Sequence, residues 1–134
     1  MKNILIVDND LGFIYWLGAA LIARHYQPLP ACNVSDAITV AGPGPAVRLD
    51  LMIVNPSLPG ISKLITRFRR TQAHLKVVAL GRQRKTALTD VNVWRRKPAL
   101  SDDSAKQKWV RAINRVLGPD KTAPVTTEGC GAVN

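Results

Sequence analysis

Residues 50–60 read DLMIVNPSLPG, and no other stretch restricts the fold as strongly. Leu51, Met52, Ile53 and Val54 form an apolar run without alternation. A strand with one wet face alternates apolar and polar residues, whereas an unbroken run suits a parallel sheet covered by helices on both faces. The run stops at Asn55, after which Pro56, Pro59 and Gly60 dictate a loop. In open parallel sheets, ligands and chemistry gather at the carboxyl ends of the strands. Asn55 therefore stands at the centre of the expected functional edge. A carboxylate there could act as nucleophile or metal ligand; a neutral amide is neither.

The rest of the chain supplies matching elements. Residues 3–7 (NILIV) form a first apolar strand that runs into Asp8, Asn9 and Asp10. Asp10 suits the N-cap of a helix in which Leu11, Ile14, Tyr15, Leu17, Gly18, Leu21 and Ile22 recur at helical spacing. A second strand is expected over 29–33, at a sheet edge because Pro28 and Pro30 weaken it. Ser35 is the expected cap of a brief second helix, which 42–45 (GPGP) stops. Ser62 is the expected cap of a third, with Leu64, Ile65 and Phe68 inward and Lys63, Arg67, Arg69 and Arg70 outward.

Residues 77–80 make a fourth strand ending at Gly81, and 82–90 have room for a turn or two of helix around Ala87 and Leu88. Residues 91–94 lead a fifth strand into Arg95, Arg96, Lys97 and Pro98. Ser101 is the expected cap of the last helix, with Ala105, Trp109, Ala112, Ile113 and Val116 on one face and Gly118-Pro119 as its stop. Residues 1–118 thus read as one doubly wound α/β domain. Residues 119–134 read as a polar, patternless tail expected to be disordered.

Composition narrows the function. No apolar run approaches the roughly 20 residues of a membrane helix. The short opening run meets acids too soon for a signal peptide, so a cytoplasmic location is expected. Cys32 and Cys130 form neither a metal-ligand spacing nor a disulfide framework, and His25 has no second ligand at metal spacing. The net charge of +10 sits in one place: 1–62 carry −1, 63–97 carry +10 and 98–134 carry +1. Such asymmetry suits an acidic partner or nucleic acid.

Taken together, ILIVDND, DLMIVNPSLPG, VVALG and WRRKP, in this order, resemble the receiver domain of bacterial two-component response regulators. The resemblance covers about residues 2–117. It implies a flavodoxin-like five-stranded parallel sheet of order 2-1-3-4-5, flanked by helices, of which the second and fourth are shortened here. It also implies chemistry: an aspartate at the end of strand three accepts a phosphoryl group from a histidine kinase. Mg²⁺ is held by acids after strand one, a lysine pairs with the phosphate, and a hydroxyl and an aromatic carry the switch.

This sequence departs from that pattern. Asn55 stands at the phospho-acceptor and Asn9 at the second acid, beside Asp8 and Asp10. Gly81 replaces the switch hydroxyl, Trp94 occupies the aromatic position, and Lys97 with Pro98 is retained, Lys97 being expected simply to neutralise Asp8. Mg²⁺ binding is therefore expected to be lost or weak, and Asp10 suits a helix cap better than a ligand. The expected role is a stand-alone, non-enzymatic, unphosphorylated receiver-like module of a phosphorelay that works by protein–protein contact. The expected partner is an acidic signalling protein, with a homodimer as an open alternative and no membrane. A nucleic-acid binder using 63–97 is the runner-up, although no helix-turn-helix, zinc finger or RNP motif supports it. Phosphorylation at an unconventional residue such as Ser57 ranks last.

Overall fold

The alternation of apolar runs and helical segments becomes a single parallel sheet between two helical layers. The computed structural model of the chain describes residues 1–42, 47–81, 88 and 91–118. Its elements are β1 (Asn3–Val7), α1 (Leu11–Ile22), β2 (Gln27–Ala31), α2 (Val34–Ala41), β3 (Leu51–Val54), α3 (Ile61–Thr71), β4 (Lys76–Leu80), β5 (Val93–Arg95) and α4 (Asp103–Leu117). The strands pair in parallel in the order β2-β1-β3-β4-β5, which is the expected flavodoxin-like topology. Of the expected features, the helical turn within 82–90, the end of the GPGP stop and the tail at 119–134 lie outside the described residues.

Alternate residues of each central strand feed opposite cores, which is why these strands show no polar phase. Ile4, Ile6, Leu51, Ile53, Val78 and Leu80 pack beneath α1 and α4 with Phe13, Leu17 and Trp109. Leu5, Val7, Met52, Val54, Val77 and Ala79 pack beneath α2 and α3 with Leu64, Ile65 and Phe68.

Several element boundaries differ from the expected ones. The second strand begins earlier, at Gln27, and is an edge strand as expected. Gln27 donates its N–H inward to Lys2 O at 2.8 Å. Positions 28 and 30 share the opposite phase, so both prolines put their missing donors on the open edge. The second helix is capped by Asn33, not Ser35: Asn33 Oδ1 accepts from Asp36 N at 2.8 Å. The third helix starts from Gly60, in the left-handed conformation at φ 81°, and Ser62 plays no capping part. The last helix is capped by Asp102 instead of Ser101. In each case the cap is the residue whose backbone is still extended or left-handed at the helix entrance, two positions before the serine in the second and third helices and one after it in the last.

Two side-chain placements also differ. In α1, Phe13, Ile14, Trp16, Leu17, Ala20 and Leu21 are buried, while Leu11, Tyr15 and Ile22 are exposed. In α3, Arg69 turns inward: its guanidinium donates to Leu75 O at 3.1 Å and to Asn92 Oδ1 at 3.1 Å. Asn92 Oδ1 also accepts from Val77 N, so Arg69 ties the end of α3 to the strands β4 and β5. No helix among the described residues is long and apolar enough to cross a membrane.

Candidate functional site

The carboxyl ends of β1 and β3 lie side by side, because Asn55 N donates to Val7 O at 2.9 Å. That pairing delivers Asp8 and Asn55 to the same edge. Asp8 is fully buried, and a buried carboxylate is tolerable only when paired and hydrogen-bonded. Both of its oxygens are engaged. Oδ1 accepts from Asn55 Nδ2 at 2.9 Å, and Oδ2 meets Lys97 Nζ at 2.6 Å.

Lys97 arrives on the loop after β5 and keeps about a third of its side chain in solvent, at 32%. Its ammonium also lies 3.6 Å from Asp10 Oδ2 and 5.4 Å from the centre of the Phe13 ring. Asp10 Oδ1 meanwhile accepts from Phe13 N at 3.2 Å, which is the expected cap of α1. Asn9 is exposed and adds no hydrogen bond to the cluster.

Asn55 is held at both ends. The Asp8 carboxylate can only accept, so the amide must turn its NH₂ group toward it. The opposite end, Oδ1, accepts from Ser57 N at 3.0 Å and from Ser57 Oγ at 2.6 Å. An aspartate could accept from Ser57 equally well, but it could donate nothing to Asp8. The neighbours thus select an amide at this position.

Gly81 and Trp94, the positions expected to match the switch residues, are separate from this cluster. Gly81 ends β4 with φ 118°, a conformation that side-chain-bearing residues rarely adopt, although an added Cβ would meet no atom within 4 Å. Gly81 N donates to Arg95 O at 2.8 Å, closing the end of the β4–β5 pair. Trp94 is half-buried and packs on the α2–α3 side of the sheet with Leu88 and Val91. Its neighbour Arg95 faces the other side, 5.3 Å from the Trp109 ring centre. The structure therefore brings together Asp8, Asp10, Asn55 and Lys97, and leaves Asn9, Gly81 and Trp94 outside their network.

Ser57 and Phe13 were not expected as structural members of the site. Ser57 could have been read from Asn55-Pro56-Ser57, because Asn side chains commonly accept from the backbone N–H two residues on. Nothing in the sequence pointed to Phe13 beyond its place in the helix.

The donor set does not fit the Mg²⁺ ion of receiver chemistry. Mg²⁺ demands near-octahedral oxygen ligation and is held through carboxylates. Here an ammonium stands against one oxygen of Asp8 and an amide N–H against the other. Asp10 is shared between its cap and Lys97. Among the described residues, no three His, Cys, Asp or Glu side chains cluster as a metal site.

Comparison with solved structures places this architecture. The chain is similar to a response regulator receiver domain protein from Methanospirillum hungatei, with a TM-score of 0.69 and 15% identity over 87% of this chain and 94% of that one. It is similar to a two-component response regulator from Clostridium difficile, with a TM-score of 0.67 and 19% identity over 89% of this chain and 100% of that one. The chemotaxis response regulator CheY4 of Vibrio cholerae gives a TM-score of 0.65 and 17% identity over 87% of this chain and 98% of that one. No protein-family model matches the chain, and no curated protein matches its sequence. The chain has the fold of a response-regulator receiver domain.

Proposed function

We propose that the protein is a receiver-like module of two-component signalling that takes no phosphoryl group and signals by constitutive protein–protein contact. The observation that supports this reading is the fit of Asn55, which donates to Asp8 at one end and accepts from Ser57 at the other. An amide nitrogen hydrogen-bonded to a buried carboxylate is a poor nucleophile, and it cannot form the acyl phosphate of receiver chemistry. Lys97 is committed to Asp8 and Asp10. Ser57 Oγ is committed to Asn55, which argues against it as a substitute acceptor. The pocket is thus a neutralised, hydrogen-bonded knot that fixes one shape of the strand ends. A module of this kind has no catalytic residue, and it belongs in the cytoplasm beside the phosphorelay proteins it contacts.

The test is a two-dimensional amide NMR titration of the intact protein with millimolar Mg²⁺, then acetyl phosphate. The expected result is that Asp8, Asn55, Ser57 and Gly81 keep their shifts. Saturable movement of these amides would overturn the reading. A parallel pull-down from native lysate, with and without nuclease, separates protein contact from the nucleic-acid alternative: the expected partner survives nuclease.

A further inference from the structure

We propose that the groove between α2 and α3 is a docking site for an acidic amphipathic helix of a partner protein. This rests on the contact reading above and names its surface and chemistry. The groove has a volume of about 540 Å³, with Val34, Ile38 and Leu64 in its apolar lining and Lys63, Arg67 and Arg70 along its α3 wall. The three cations fall at i, i+4 and i+7, one stripe along the exposed side of α3.

The fold makes little use of these charges: only Arg70, in the last turn, is favoured by the helix dipole. Like charges at i, i+3 and i+4 repel, and Lys63 sits in the first turn, where the helix dipole disfavours a cation. The α3 helix holds no acid, and none of the three forms an ion pair with a described residue. The nearest acid on α2, Asp36, is occupied by Cys32 N at 3.2 Å and Cys32 Sγ at 3.2 Å. Arg69, the neighbour that the fold does employ, is turned away onto Leu75 and Asn92. The stripe thus carries unrelieved repulsion that a row of carboxylates would remove.

The lining decides the class of partner. A nucleic-acid backbone needs cations and polar donors, and gains little from an apolar floor. A helix that presents carboxylates at i, i+4 and i+7, with apolar residues beside them, meets both the stripe and the floor. A second small groove, lined by Leu58, Ile61, Lys63 and Leu88, continues past Gly60 toward the loop after β3. That continuity leads the docked helix toward the Asn55 edge.

The experiment selects ligands without assuming their charge. Random peptides of about 18 residues, five helical turns at 3.6 residues each, are displayed and selected against the intact protein. Enriched peptides are then measured by fluorescence anisotropy. Enrichment of net-acidic sequences with apolar residues at helical spacing is expected. Their affinity should fall at least about tenfold, or about 1.4 kcal/mol, in Arg67→Glu/Arg70→Glu. It should stay unchanged in Arg111→Glu/Arg115→Glu, two exposed cations of α4. Replacing the peptides' apolar residues by Ser should also weaken binding.

Neutral or basic winners, no enrichment, or equal weakening by the α4 variant would overturn the proposal. So would tighter binding of a random-sequence DNA duplex lost in the α3 variant, which would assign the stripe to nucleic acid. Thermal melts confirm that each variant is folded. Phosphoprotein mass measured on the same samples keeps the two readings apart: phosphorylation of the wild type with acidic-peptide binding intact would sink the unphosphorylated role and leave the groove standing.

Discussion

Removing the amine of Lys97 should damage the fold more than removing the charge of Asp8. Asp8 is fully buried, so in Lys97→Met its carboxylate keeps only the Asn55 amide as a donor. Deleting one partner of a fully buried ion pair costs about 3–5 kcal/mol. Lys97 keeps 32% of its side chain exposed, so water can reach part of the vacated space and screening lowers the figure. An expected cost of about 2–3 kcal/mol follows, which for a domain of this size lowers Tm by about 8–12 °C. In Asp8→Asn the ammonium can turn to solvent or stay with Asp10, and the cost is about 1 kcal/mol. The double variant Asp8→Asn/Lys97→Met leaves no buried charge and should be less damaged than Lys97→Met alone. Urea denaturation followed by Trp fluorescence measures all four corners of this cycle. A Lys97→Met cost below about 0.5 kcal/mol, or strict additivity of the two changes, would refute the idea that this pair compensates a buried charge.

Other outcomes follow from the same geometry. Asn55→Asp should destabilise by about 1–3 kcal/mol, because it removes the N–H that Asp8 accepts and sets a second carboxyl group against it; adding Asp8→Asn should relieve it, and the same urea assay reads both. Gly81→Thr and Gly81→Ala should each cost about 1–3 kcal/mol through strain at positive φ, so a switch hydroxyl is not restored by one substitution; a stabilising Gly81→Thr would contradict this. Trp109→Ala should cost about 3–5 kcal/mol, since Trp109 is among the largest fully buried side chains. The Asp36 carboxyl is held below its usual range by Cys32 N–H, and Asp102 by the Ser104 hydroxyl. Each therefore adds stability above the ordinary carboxylate range and loses it as pH falls through its lowered value. Asp36→Asn should flatten the acid limb of a melting-temperature profile measured from pH 6 down to about pH 3.

What could be read in advance, and what could not, has physical reasons. β1, β3 and β4 are legible because strands buried on both faces leave unmixed apolar runs. β2 was placed two residues late because its prolines hide a strand whose missing donors face outward at an edge. The outer face of α1 could not be told from its inner one, since LGFIYWLGAALI offers no charged residue to mark a wet side. Helix caps slid toward serines because sequence shows which side chains can cap, while backbone conformation decides which one does. The positions of Asp8, Asn55 and Lys97 at one edge followed from strand ends alone. The pairing of Lys97 with Asp8 was legible too, since a lysine beside a buried acid neutralises it; the bonds of Asn55 to Asp8 and Ser57 were not, because they depend on which way the amide turns.

The central claim is that the pocket of Asp8, Asn55, Ser57 and Lys97 is satisfied within itself and accepts no phosphoryl group. Its most direct test is the intact mass of the wild-type protein after incubation with acetyl phosphate and millimolar Mg²⁺, beside Asn55→Asp/Asn9→Asp treated identically. The account predicts an unchanged mass for the wild type and a phosphoryl adduct confined to the double variant. An adduct on the wild type, at Ser57 or at any other residue of this edge, would contradict it.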